Sequence, residues 1–65
     1  MQEYQLRVVE EADALDEKII KLIAFLAEPK VLNVADPEYA RLERQLDAMR
    51  LYSYILHNRI KHFLP

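Results

Sequence analysis

Residues 36–63 read DPEYARLERQLDAMRLYSYILHNRIKHF, and this stretch decides the fold. Tyr39, Leu42, Leu46, Met49, Ser53, Leu56, Ile60 and Phe63 follow one another at alternating intervals of three and four, with Ser53 as the one polar interruption. That spacing keeps a single stripe on one side of an α-helix and is the seam of a coiled-coil-like contact. The start is equally legible. The Asp36 side chain can accept hydrogen bonds from free backbone N–H groups, Pro37 suits the first helical position, and Glu38 sits at the positive end of the dipole. Arg59 and Lys61 complement the negative end.

Working outward, the N-terminal half carries a matching seam in Val8, Ala12, Leu15, Ile19, Leu22 and Leu26, spaced 4, 3, 4, 3, 4. Glu10, Glu11, Asp13, Glu17 and Lys18 fill the remaining faces. Glu3 with Arg7, and Glu17 with Lys21, have the favourable i, i+4 order. Pro29 ends this helix, because proline disfavours helical geometry in the residue before it. The reading is a single domain over residues 1–65: a helix over about 2–27, a connection over 28–36 and a helix over about 37–63. A connection this short makes the helices antiparallel neighbours. Val31, Leu32 and Val34 are expected to fold back over the closed end. The fold class is therefore all-α, an antiparallel two-helix hairpin.

Composition agrees. There is no glycine in 65 residues, so no position asks for a left-handed backbone, which argues against tight hairpins and glycine-rich phosphate loops. There is no cysteine, so neither a disulfide nor a thiolate metal site can staple the chain. The apolar run from Ile19 to Ala27 is broken by Lys21 and is too short to span a bilayer, and Met1-Gln2-Glu3-Tyr4 does not open a signal peptide. The expected location is the cytoplasm, with no membrane partner. A net charge of −2 does not describe a nucleic-acid-binding chain, and an acidic first helix beside the second disfavours a nucleic-acid groove. Residues 1–28 hold seven acids and three bases, whereas residues 38–65 hold three acids and five bases, a bias that favours side-by-side antiparallel packing.

A chain of this size buries too little on one seam to stand alone comfortably. Both helices carry apolar residues beyond the seam: Ile20, Ile23 and Phe25 in the first, Leu51, Tyr54 and Ile55 in the second. A helix apolar on more than one face is buried on more than one face. These six are the expected contact between chains of a homo-oligomeric helical bundle. The same surface could instead receive a different protein.

Catalytic candidates are few. His57 and His62 are five residues apart and diverge by about 140° on a helix, so they cannot share a metal, and no cofactor is implied. Ser53 is the lone serine and sits in the seam, where a small residue permits close helix approach. The carboxylates of the first helix are expected to be solvated on its polar face, without a pocket to shift them toward acid–base work. The protein is thus read as a binder, not an enzyme. Tyr52, His57, Arg59 and His62 combine aromatic and cationic groups that could stack a base and neutralise a phosphate where subunits meet. Interface packing and dipole compensation explain the same residues without a ligand.

The residues Glu3-Tyr4-Gln5, Arg7-Val8-Val9, Glu11, Leu15-Asp16, Lys18-Ile19, Leu22 and Phe25, followed by Arg41-Leu42, Gln45-Leu46, Met49, Tyr52-Ser53, Leu56, Arg59-Ile60 and Phe63, form a pattern across nearly the whole chain. It resembles a family of short phage and prophage helical-hairpin proteins of unassigned function. Tyr4, Arg7, Met49, Tyr52, Ser53 and Arg59 are the less generic matches. The resemblance implies a phage accessory protein and transfers no binding residues. Small phage proteins of this size and shape include inhibitors of host defence factors and oligomeric sponges that sequester cyclic nucleotide signals, an analogy of shape alone. The connection Glu28-Pro29-Lys30-Val31-Leu32 is more apolar than the pattern leads one to expect. Two readings stand: contact with a host or phage protein, and capture of a small nucleotide between subunits.

Overall fold

The computed structural model of the protein describes residues 1–28 and 32–63. It contains two helices, α1 (Glu3–Leu26) and α2 (Pro37–Lys61), packed against each other as an elongated hairpin of 48 × 15 × 14 Å. Both helices lie within two residues of the expected spans.

Local chemistry sets each end. At the start of α1 the Gln5 side chain accepts from the Gln2 amide at 2.8 Å, and Glu3 supplies an acid to the first turn. Arg7 reaches back to Glu3 at 3.1 Å, and Lys21 to Glu17 at 3.4 Å, so both expected pairs form. After Leu26 the amides of Ala27 and Glu28 bond back to the Ile23 and Phe25 carbonyls, tightening the last turn. Before α2, the Asn33 side chain accepts from the Ala35 amide at 2.8 Å, an Asx turn that aims the chain into the second helix. Asp36 then caps α2 by accepting from the Glu38 amide at 2.8 Å. At the closed end Leu32, Asn33 and Val34 border a hollow with Leu26 and Ala27, and Val34 itself stays 73% exposed. Leu32 is half-buried, and Val31 lies outside the described residues.

The seam forms as its spacing demands. Val8, Ala12, Leu15, Leu46 and Leu56 are buried, and every other seam position of both helices is half-buried. Leu56, 1% exposed, packs with Val8, Ala12 and Leu15, and Ile19, Met49, Ile60 and Phe63 close around them. Ala12 is fully buried and lets the helices approach closely. At the open end Tyr4 meets Phe63 edge to face, ring centres 5.9 Å apart. No described helix is long and apolar enough to cross a membrane.

Candidate functional site

Among the described residues, a polar cluster centred on Asp16 joins the helices. Ser53 donates its hydroxyl to Asp16 Oδ1 at 2.5 Å, and His57 Nε2 lies 2.6 Å from Asp16 Oδ2. A carboxylate only accepts, so the imidazole proton of this contact sits on Nε2. The Ser53 hydrogen bond, then that of His57, holds the Asp16 carboxyl below its ordinary value against a small opposing effect of burial. Asp16 is therefore not simply solvated on the polar face, as expected of the carboxylates of the first helix: it stays partly exposed but is held by two partners on α2. Ser53 is more than a small seam residue: it is the donor that draws Asp16 inward. The order of bonding matters chemically. A nucleophilic serine gives its proton to an imidazole oriented by a carboxylate, whereas here serine and imidazole both bond the carboxylate. The cluster is a tie between helices.

The tie also sorts the remaining surface. Residues two apart on a helix diverge by about 160°. His57 and Arg59 thus face opposite flanks, as do Asp16 and Lys18. One flank carries the tie together with Ile23, Glu43, Asp47 and Arg50, which line a shallow groove of about 320 Å³. A second hollow on α2, about 260 Å³, is bordered by Tyr54, His57, Asn58 and Lys61. The opposite flank gathers Arg7, Lys18 and Phe25 of α1, spaced 11 and 7, with Arg41, Tyr52 and Arg59 of α2, spaced the same way. Glu11 is the carboxylate on this line of α1, and Arg7 and Arg41 are engaged by Glu3 and Glu38.

Of the four residues expected to hold a ligand, Tyr52 and Arg59 therefore share the cationic flank, two helical turns apart. His62 lies one turn beyond Arg59, its Nδ1–H donating to the Asn58 carbonyl at 2.8 Å. His57 belongs to the other flank and is held by Asp16. The six residues expected between chains are all exposed, from 39% at Phe25 to 69% at Tyr54. They do not form one strip: Ile23 and Phe25 diverge to opposite flanks, and Leu51 points away from the seam.

Asp16 was readable in principle. A serine interrupting an apolar seam needs a hydrogen-bond partner across it, and Asp16 follows Leu15 at the matching level of the antiparallel helix.

Fold and surface together define a helical hairpin with exposed apolar and cationic faces and no enclosed site within the described residues. The family model described as Sequestin matches residues 2–62, and the chain belongs to that family. No curated protein and no solved structure matches it significantly.

Proposed function

We propose that the protein acts by sequestration: it binds a small anionic ligand in fixed proportion and withholds it unchanged. The observation that carries this reading is the flank formed by Lys18, Phe25, Tyr52 and Arg59, where aromatic faces alternate with cations. Such a surface stacks a base and neutralises a phosphate. The family description, Sequestin, agrees with withholding as the mode of action. Because one hairpin offers only an open flank, the site is completed by a second copy. The ligand class is a cyclic oligonucleotide of bacterial immune signalling, and the setting is the cytoplasm of a phage-infected cell, in keeping with the resemblance to short phage proteins. No turnover is involved.

The test is native mass spectrometry with a thermal-shift screen of cyclic di- and trinucleotides. A binder gains about 2.7 kcal/mol of stability at a hundredfold excess over Kd. Arg59→Ala removes a charge-assisted contact worth about 1.5–3 kcal/mol and should weaken binding roughly 10- to 100-fold. An oligomer that neither carries nor gains stability from any such ligand overturns the reading.

A second reading is contact with a host or phage protein. The exposed Leu51 and Ile55 favour it, at 62% and 47%, because they lie away from both the seam and the tie. Pull-down from infected cells with Leu51→Lys as control tests it; equal capture by both proteins would exclude this surface.

A further inference from the structure

Glu43, Asp47, Arg50, Tyr54, His57 and Lys61 are all exposed and follow one another along α2 at intervals of 4, 3, 4, 3 and 4. This is a second heptad stripe, running beside the buried seam on the flank of the Asp16–His57 tie. Its chemistry is not random along its length. The acids stand at the end nearest the connection, the cations at the other, and the sequence of types is its own complement when reversed.

We propose that this stripe is a self-association surface on which α2 of a second copy lies antiparallel. With the two-fold axis at the level of Tyr52, Glu43 faces the partner's Lys61, Asp47 faces the partner's His57, and Arg50 stacks on the partner's Tyr54. Each contact occurs twice, as an isologous interface requires. The parallel alternative places Glu43 on Glu43 and Lys61 on Lys61, which like-charge repulsion disfavours.

The charges set direction and register, since exposed ion pairs contribute little association by themselves. The apolar share comes from Tyr54, 69% exposed, and from Ile20 and Ile23 of α1, 67% and 41% exposed. Ile23 lines the same groove as Glu43, Asp47 and Arg50, so a helix settling there covers it. This interface leaves the Tyr52–Arg59 flank uncovered. It is a second contact between copies, distinct from the one that completes the ligand site; it rests on the self-association in the proposed function but not on the identity of the ligand.

The chain has no cysteine, so crosslinking reads the geometry directly. Glu43→Cys and Lys61→Cys are made as single variants, mixed and mildly oxidised, with circular dichroism confirming helix content and light scattering the mass of the unmodified protein. Positions 43 and 61 are about 27 Å apart along one helix, so a bond between them must join two chains. The expected result is covalent dimer in the mixture and little with either variant alone. Dimers of each variant with itself would establish parallel packing and overturn the proposal. An oligomer without crosslinks places the interface elsewhere; if it still carries ligand, only this inference fails. A monomer removes the interface and the shared site together.

Discussion

Asp16 shows how much one carboxylate can do in a hairpin with so small a core. It accepts from Ser53 and His57 on α2 and so pins the axial register at mid-length, where the apolar seam alone would tolerate sliding. Asp16→Ala should cost about 1 kcal/mol, the net worth of a hydrogen bond or two at a partly exposed site, read as a lower urea midpoint. Its pH dependence has a definite sign. The folded carboxyl is held below its ordinary value of 3.8, so its contribution is present above that value and is lost as pH falls through the lower folded value. The advantage of the wild type over Asp16→Asn should thus shrink below about pH 4. A difference that stays flat into acid would mean that the tie contributes nothing to stability.

At the scale of elements, one pair of helices depends on one seam. Leu56 is its most buried large residue, surrounded by Val8, Ala12 and Leu15. Leu56→Ala should destabilise by about 2–5 kcal/mol, enough to unfold a domain this small, with loss of the helical circular-dichroism signal. The caps matter less. Asp36→Ala removes the bond to the Glu38 amide and should cost about 1 kcal/mol while leaving the hairpin folded.

The whole molecule is two-sided. The tie flank carries acids toward the connection and cations toward the other end, beside Ile20 and Ile23, and the opposite flank carries Tyr52 and Arg59 among further cations. Ile23→Glu would set a new carboxylate beside Glu43 and Asp47 in the groove. It should dissociate the proposed oligomer while leaving the intrachain seam intact, measured as a fall in mass by light scattering at unchanged helicity. An unchanged mass would place the contact between chains on another face.

The residue order by itself determined the helices, their caps and the seam, because the alternation of three and four and the Asp36-Pro37-Glu38 start are local properties of the chain. All fourteen seam positions lie inward in the folded hairpin. The second apolar face was legible as excess, but the pairing of its flanks across the two helices was not. Spacing sorts the residues of one helix between flanks, but the axial level at which Asp16 meets Ser53 and His57 sets which residues of α1 and α2 stand side by side on each. Val34 shows a related limit: apolar character does not reveal that it stays largely exposed at the rim of the closed-end hollow. Local periodicity encodes which residues are buried. Only the packed pair decides which polar groups meet across the seam, and therefore which surfaces remain free to bind.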